Sequence, residues 1–396
     1  MKAAGLVLAL VAGCGAPPPR SPDLGRPAAP PIGALDGRAI LPTGQLADGT
    51  RVVERLNDHW QPLSPPPGLD ERSRLELADG SFWAWMSFAS EDGVERARWI
   101  APAHSREELQ RRLEALGAEA KRLPPALASR VAPVLPIIAS ISVVEGDFGD
   151  PSTHVRDPAG SIGIFQWAAD RKSAHTAGSS LARFFTTLAR RAAAAPASDP
   201  LFVRAWKQCR AHGLSIKRGD LWLGKRRANA AEIEQQLHAE LGTGALRTYQ
   251  LVAAADWIDD VRATVVRPGA RGAAWLGHAY AKANGGRYVT MTNDGRKIAL
   301  TAPRVVTVGE LLADGAALGS AVSIGVNRPS YVAPALWRAL GGEPTFTLDP
   351  ARIWPAPAHR DAEPLAIAFR RHALALYPPD QRERRARRLV TALLPR

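Results

Sequence analysis

The chain has 396 residues, of which 46% are hydrophobic and 22% are charged, an ordinary balance for a protein that buries a core. Its length exceeds that of a typical single domain, so one large domain with a smaller one is the simplest organisation. The formal net charge of +13 favours anionic partners without choosing among a cell-wall polymer, an acidic lipid and a nucleic acid. The sequence has no phosphate-binding loop, dinucleotide fingerprint or His-Glu-x-x-His motif, which argues against the commonest nucleotide-dependent and zinc enzymes.

The N-terminus predicts an export signal. Residues 1–13 contain a short apolar run that is too short to span a bilayer, and they are interpreted as a signal peptide. The segment ending at Cys14 resembles the lipobox of bacterial lipoproteins. This resemblance implies cleavage before Cys14 and a lipid anchor in the bacterial cell envelope, with Gly15 favouring the outer membrane. The alternative is a plain signal peptide with an incidental cysteine, and no further membrane-spanning segment is expected.

Cysteine usage gives a second expectation. Lipidation of Cys14 would leave Cys209 as the only free thiol, so we expect no intrachain disulfide. Cys209 and His212 are spaced as Cys-x-x-His, but a zinc site needs more ligands than this pair provides. We predict a buried thiol near a helix end, and neither a metal nor a cofactor.

Residues 14–35 are rich in proline, which predicts an extended tether. Over 36–104, Asp-Gly dipeptides suited to tight turns separate short alternating segments, and this pattern predicts a small β module. Trp83 and Trp85 in this module could stack on sugars, although packing in the core or at a sheet edge is the favoured interpretation. Residues 105–130 are predicted to be a connecting helix and linker.

The connecting segment and the main domain each begin with a helix. Ser105 and Glu108 form a capping box that predicts a helix over 105–120. A second, apolar helix is predicted from 136 to Glu145. Apolar surroundings favour the protonated form of a carboxyl group, as a general acid requires. Taken alone, however, a surface glutamate after a core helix would be the favoured interpretation.

A glycine-rich segment follows at 160–167. Its glycines allow close backbone approach, Gln166 offers both a donor and an acceptor, and Trp167 offers a ring for stacking. With Glu145 as the catalytic candidate, the candidate substrate-binding residues are Ser161, Gly163, Phe165, Gln166, Trp167 and Tyr280.

Together these segments resemble the lysozyme-like superfamily, particularly lytic transglycosylases and goose-type lysozymes, in which a glutamate ends a helix before a Gly-hydrophobic-Met-Gln loop. The resemblance implies that Glu145 is the catalytic acid, Gly163 the loop glycine and Gln166 the amide that lines the sugar cleft. The segment around Tyr280 is similar to the family's Ala-Tyr-Asn segment. Phe165 stands where the family usually has methionine.

We therefore predict an α+β fold, in which a predominantly helical lysozyme-like catalytic domain over 131–396 follows the β module. Further helices are predicted over 179–194, 199–211, 229–262, 272–283, 308–318, 329–341 and 362–394, the last with a break at Pro378-Pro379. Strands are predicted near 287–300.

The predicted function is peptidoglycan cleavage by a muramidase or lytic transglycosylase, with Glu145 as general acid and base. Retaining and inverting glycosidases use a second carboxylate. Asp147, Asp150 and Asp157 follow closely, but none fits a recognised spacing. A lytic transglycosylase, by family analogy, needs only one glutamate.

Three other functions are alternatives to peptidoglycan cleavage. A serine hydrolase using Ser161 is disfavoured, because a nucleophile elbow needs a preceding strand. A non-catalytic peptidoglycan-binding lipoprotein stays open, because binding needs only the glycine loop, the amide and the aromatic rings. Nucleic-acid binding through the arginine-rich segment 382–388 is disfavoured, because we predict an amphipathic terminal helix with a solvated basic face on an exported protein. The oligomeric state is not predicted.

Overall fold

The computed structural model describes residues 29–64, 68–89, 92, 94–148, 151–154, 157–168, 180–195, 200–217, 220–264, 288–291, 297–300, 307–313, 315–339 and 362–394. Helices and strands are both present and helix is the larger share, so the α+β class is confirmed at that level. Cys14, Tyr280 and the helix predicted over 272–283 lie outside the described residues.

The N-terminal part forms an antiparallel sheet in the order β2-β1-β5-β6-β7, with a separate hairpin β3-β4. The strands are β1 (Gly33–Leu35), β2 (Arg38–Ile40), β3 (Val53–Leu56), β4 (His59–Pro62), β5 (Arg74–Leu77), β6 (Phe82–Ala89) and β7 (Glu95–Ile100). Asp36 and Gly37 turn the chain between β1 and β2 with φ of +49° and +76°, as an Asp-Gly dipeptide predicts. The short strands expected here are present, and β1 begins within the segment interpreted as the tether.

The helices mostly follow the predicted segments. They are α1 (Arg106–Ala120), α2 (Pro125–Val131), α3 (Leu135–Glu145), α4 (Ser180–Ala194), α5 (Pro200–Ala211), α6 (Ala230–Thr243), α7 (Ala245–Arg262), α8 (Val308–Leu311), α9 (Gly315–Asn327), α10 (Pro329–Ala339), α11 (Ala362–Ala375) and α12 (Pro379–Thr391). The single helix predicted over 229–262 is divided, because Gly244 takes an extended conformation between α6 and α7. The prediction over 308–318 is wrong as one helix, because α8 ends before α9 begins. The break at Pro378-Pro379 is confirmed.

The five-stranded sheet packs against the helices with one face only. Along β6, Phe82, Ala84, Met86 and Phe88 alternate with outward residues and are buried in the same hydrophobic core as the helices. Helices α11 and α12 contact this face of β6. The other face packs on a second, smaller core that includes Val53 of the β3-β4 hairpin. The sheet therefore separates the main core from the hairpin.

Small sheets interrupt the helices at two places that sequence reasoning missed. The first contains β8 (Pro151–His154), β9 (Asp157–Ile162) and β10 (Trp167–Ala168), and the second β11 (Leu214–Lys217), β12 (Asp220–Leu223) and β13 (Arg226–Arg227). Proline, aspartate and glycine in β8 and β9 are poor strand formers, so their pairing has no local signal. The strands predicted near 287–300 are confirmed as β14 (Tyr288–Met291) and β15 (Lys297–Leu300).

The continuous helical segment Pro125–Glu145 has 21 residues and a mean hydropathy of 1.8 in its most apolar window. By length and composition alone it could cross a membrane, contrary to the sequence-based expectation. Part of that window, 44%, is buried within the fold, and the core helix of a water-soluble protein meets the same criterion.

Candidate functional site

Helix α3 brings Glu145 to the end of an apolar segment. Ile137, Ile138 and Ile141 are buried along it, and α1, α7 and α9 pack against it. Gly146 caps its C-terminus. The side chain of Glu145 is only 7% exposed. The predicted helix and its terminal glutamate are therefore confirmed.

The segment Gly163–Gln166 forms a tight turn between β9 and β10, in which the Gln166 N–H donates to the Gly163 carbonyl at 2.9 Å. Gly163 has φ of +82°, and a Cβ there would lie 2.6 Å from Gln250 Oε1 and 2.7 Å from the Trp167 ring. Only glycine fits this position without displacing its neighbours. Gln166 also has a positive φ, +48°, which is uncommon for a residue with a side chain.

The fold brings the Glu145 helix end and the Gln166 turn into contact. A Cβ on Gly146 would lie 2.5 Å from Gln166 Nε2, so this amide sits against the backbone one residue beyond Glu145. The amide nitrogen donates to the Gly163 carbonyl at 3.2 Å, and the Ser161 hydroxyl donates to the amide oxygen at 2.7 Å. These bonds orient the Gln166 side chain beside the helix end.

Gln250 on α7 connects the same two segments, and sequence reasoning did not single it out. It is fully buried, accepts a hydrogen bond from the Ile164 N–H at 3.2 Å, and donates to the Phe148 carbonyl at 2.9 Å. It also donates to the Leu241 carbonyl at 3.3 Å. The available signal was a lone amide within an apolar helix, because a buried amide needs partners.

Arg388 of the terminal helix α12 contacts the candidate catalytic residue. Its Nη1 donates to Glu145 Oε1 at 2.7 Å, and the Arg388 side chain is 22% exposed. The prediction of a solvated basic face is therefore wrong for Arg388, although Arg384 and Arg387 are exposed. This contact places a positive charge directly against the candidate catalytic carboxyl group.

We expect Arg388→Ala to lower the free energy of unfolding by about 1–3 kcal/mol, because it removes a charged donor from a largely buried carboxylate. The effect should shrink in a Glu145→Gln background. A double-mutant cycle by urea denaturation would give a coupling of about 0.5–3 kcal/mol for residues in direct contact. Strictly additive losses would show that the ion pair does not form in solution.

Aromatic and cationic side chains lie beside this ion pair. Tyr331 and Tyr377 pack edge to face at 5.1 Å, and the Arg385 guanidinium lies 5.2 Å from the Tyr377 ring centroid. Burial raises the pKa of Tyr377 to about 12 against the opposing charge of Arg385, while Glu145 adds to the rise.

Arg385 has unused hydrogen-bonding capacity. Its Nε and Nη1 are shielded from solvent and have no hydrogen-bond partner among the described residues. Burial lowers the pKa of Arg385, and the neighbouring charge of Arg388 lowers it further.

Two of the predicted substrate-binding residues are instead core residues. Trp167 is 4% exposed and its ring lies 4.6 Å from that of Phe184, while Phe165 is 2% exposed. Stacking on a sugar needs an accessible ring face, and both rings are buried, so the structure does not support the predicted contacts of Phe165 and Trp167 with substrate. Their bulk holds the turn that positions Gln166.

Ser161 lies on β9, opposite Ala168 of β10. A strand therefore does carry this serine, contrary to the expectation, but the chain continues into a hairpin instead of the helix that a nucleophile elbow requires. Ser161 also donates its hydroxyl to Gln166. This arrangement supports a positioning role and gives no support to a serine hydrolase.

The carboxylate of Asp147 interacts with nearby arginine side chains and with a backbone N–H. Arg112 Nη1 donates to its Oδ1 at 2.6 Å, and the Phe148 N–H donates to the same oxygen at 2.7 Å. Burial opposes ionisation of Asp147, but the Phe148 hydrogen bond and the charges of Arg112 and Arg247 outweigh it and lower its pKa below the ordinary 3.8. A carboxylate whose oxygen is engaged by Arg112 and the Phe148 N–H is a weakened nucleophile or base, although it can stabilise the fold.

A carboxyl group whose pKa is lower in the folded than in the unfolded protein stabilises the fold at pH values above its ordinary pKa. This stabilisation is lost as the pH falls through the pKa of the folded state. We therefore expect Asp147→Asn to reduce stability at about pH 7 and to have a shrinking effect as the pH falls towards about 3. Urea unfolding of both proteins across this range would measure the change. A constant difference would contradict the Arg112 and Phe148 contacts.

Cys209 is fully buried near the end of α5, and burial raises the pKa of its thiol. The predicted buried thiol is confirmed. Within the part of the chain that the structure describes, no three His, Cys, Asp or Glu side chains cluster as metal ligands.

No protein-family model, curated protein or solved structure matches this chain.

Proposed function

We propose that the chain is a peptidoglycan-cleaving glycosidase of the lysozyme-like kind, a muramidase or lytic transglycosylase, that uses Glu145 as its general acid and base. The observation that carries this proposal is the contact between the Gln166 amide and Gly146. This contact brings the buried carboxyl group of Glu145, at the end of its helix, close to the oriented side-chain amide of Gln166 in the glycine turn. Such a pair can protonate a glycosidic oxygen and hold a polar group of the same sugar.

In this mechanism, Glu145 transfers its proton to the leaving oxygen and becomes a carboxylate. Arg388 then stabilises the negative charge that has formed at Oε1. In the second step, the same carboxylate takes a proton from the attacking hydroxyl of water or of the sugar itself. Arg385 lies near Glu145, and its positive charge suits a carboxylate on the substrate. Peptidoglycan carries carboxylates on both its sugars and its peptides.

Export and lipid attachment at Cys14, with residence in the bacterial cell envelope, are part of this proposal and rest on the lipobox-like segment. An anchored protein with a proline-rich segment after its lipid would meet peptidoglycan first. The chemistry requires neither a metal nor a cofactor.

A non-catalytic peptidoglycan-binding protein is the second candidate. The observation that favours it is the Glu145–Arg388 ion pair, because a glutamate held by a cation in a nearly closed site is also a common structural arrangement. Binding would then use Gln166 and Arg385 without any transfer of a proton.

Digestion of purified peptidoglycan, followed by mass spectrometry of the soluble products, tests the two candidates. Anhydro-muramyl ends would identify a lytic transglycosylase, and reducing ends would identify a hydrolase. Sedimentation of the protein with the polymer, without any soluble product, would overturn the catalytic proposal and leave the binding protein.

A further inference from the structure

A second candidate site lies in the N-terminal sheet, on the face turned away from the helices. It is an open groove of about 730 Å³ between β6, β7 and the β4 strand of the hairpin. The opposite face of β6 is buried against α11 and α12, and α12 carries Arg388. The groove is therefore separated from the Glu145 site by the sheet itself.

Four tryptophans line the groove: Trp60, Trp83, Trp85 and Trp99. Trp85 and Trp99 are directly opposite each other on β6 and β7, with ring centroids 5.4 Å apart in an edge-to-face arrangement. Trp83 precedes Trp85 by two residues and shares its face. All four rings are half-buried, so each is held by the fold and still presents ring surface to the groove.

The polar groups of the groove narrow the class of ligand. His59 and Gln61 are exposed at its rim, and Ser64 and Ser81 add hydroxyl groups to its lining. Among the described residues no carboxylate lines the groove, and the Arg98 guanidinium lies on the opposite face of the sheet, over the Phe88 ring and paired with Glu383. The groove therefore suits a ligand of little charge that presents both flat apolar faces and hydroxyl or amide groups.

Pyranose sugars have this character, because their ring C–H groups form an apolar face and their edges are polar. A nucleic acid strand would also stack, but it needs several cations for its phosphates, and the one arginine among the described lining residues, Arg98, is paired with Glu383 on the other face of the sheet. We propose that this groove binds a polysaccharide strand separately from the Glu145 site. The choice of a wall-type glycan as its ligand rests on the proposed function.

Such a site would hold the protein on its polymer while the Glu145 site acts on a neighbouring bond. Its loss should weaken attachment to insoluble peptidoglycan and leave turnover of short soluble substrates unchanged. Trp83 packs against the second core, as the favoured sequence-based interpretation predicts, while Trp83 and Trp85 both also line the groove.

The test uses the full chain with Cys14→Ser and Glu145→Gln, which can neither be lipidated at that thiol nor cleave the probe by the proposed mechanism. The probe is a soluble hexasaccharide of β-1,4-linked N-acetylglucosamine. The eleven tryptophans give separate indole N–H signals in a two-dimensional NMR spectrum. We expect the signals of Trp85 and Trp99, assigned through single substitutions, to shift on titration, while that of Trp222 on β12 does not.

Affinity is then measured by calorimetry. Trp85→Ala should weaken binding at the groove at least about tenfold, as expected for an aromatic anchor, whereas Trp222→Ala should not. The double variant His59→Ala/Gln61→Ala changes exposed side chains only, so it tests the groove even if Trp85→Ala fails to fold. Unchanged groove signals, or equal affinity in this double variant, would overturn the proposal.

A proline-rich peptide is the competing occupant, because such segments dock in aromatic grooves and residues 17–31 of this chain are rich in proline. A peptide of residues 16–31 that shifted the same indole signals and displaced the hexasaccharide would overturn the glycan assignment. The two proposals can be overturned separately. If the groove binds the hexasaccharide but the protein with native Glu145 cleaves no peptidoglycan, only the proposed function is overturned. If the protein cleaves peptidoglycan but the groove signals do not shift, only this inference is overturned.

Discussion

Glu145→Gln should reduce the initial rate of peptidoglycan solubilisation by about 10²- to 10⁴-fold, the usual contribution of a general acid or base. The amide keeps the size and the acceptor oxygen that faces Arg388, so the helix end and its neighbours should stay in place. It has no proton of suitable acidity for the leaving oxygen. The measurement is the release of soluble muropeptides by native and variant protein at equal concentration.

Glu119→Gln is the matched control. Glu119 is also a buried helical glutamate, 5% exposed, and it is bonded to Arg247 Nε at 3.0 Å and to the Thr248 hydroxyl. Its change should lower stability and leave the rate per folded molecule nearly unchanged. Equal rates for native and Glu145→Gln protein, with both folded, would remove Glu145 from the mechanism.

The ion pair between Glu145 and Arg388 shows why part of the site escaped prediction. The two residues are separated by most of the chain, so no local pattern relates them. Periodicity correctly predicted a terminal helix, but it cannot tell which of several arginines on that helix is turned inwards. The contact depends on how α12 packs beside α11 and β6.

Local rules were sufficient where the structure depends on near neighbours. The capping box of Ser105 and Glu108, the Asp36-Gly37 turn and the apolar helix ending at Glu145 all form as expected. Each follows from contacts within a few residues. The roles of Phe165 and Trp167 depended instead on what packs against their rings, and the sequence has no separate signal for a buried and an exposed tryptophan.

The backbone pairing of the small sheet β8-β9-β10 was likewise not predictable from local sequence. The segment between the two motifs contains proline, aspartate and glycine residues, which disfavour strands, yet it forms β8 and the start of β9. Its antiparallel pairing places Ser161 next to the turn, from where it bonds the Gln166 side chain. The sequence indicated Glu145, Gly163 and Gln166, which the fold brings close together, but it gave no sign of the contacts that orient them.

Gln250→Leu should lower the free energy of unfolding by about 2–5 kcal/mol, the largest stability loss that we expect from one substitution in this site. Leucine has a similar size but cannot bond the Ile164 N–H or the Phe148 carbonyl, both of which Gln250 satisfies in a fully buried place. An unpartnered buried group costs about 1–3 kcal/mol; leucine would leave these two groups unpartnered and would also remove the longer bond to the Leu241 carbonyl. Urea denaturation measures the loss.

The same substitution should lower activity even where the protein stays folded, because Gln250 ties the turn that holds Gln166 to the chain segment that follows Glu145. The matched control is Gln110→Leu, at an exposed glutamine of α1, which should change stability by no more than about 0.5 kcal/mol. A Gln250→Leu variant as stable and active as the native protein would show that the two segments are held together by packing alone. The proposed acid would then not depend on an amide network for its position, because the apolar contacts of Phe148, Phe165 and Trp167 would be sufficient to hold the turn against the helix end.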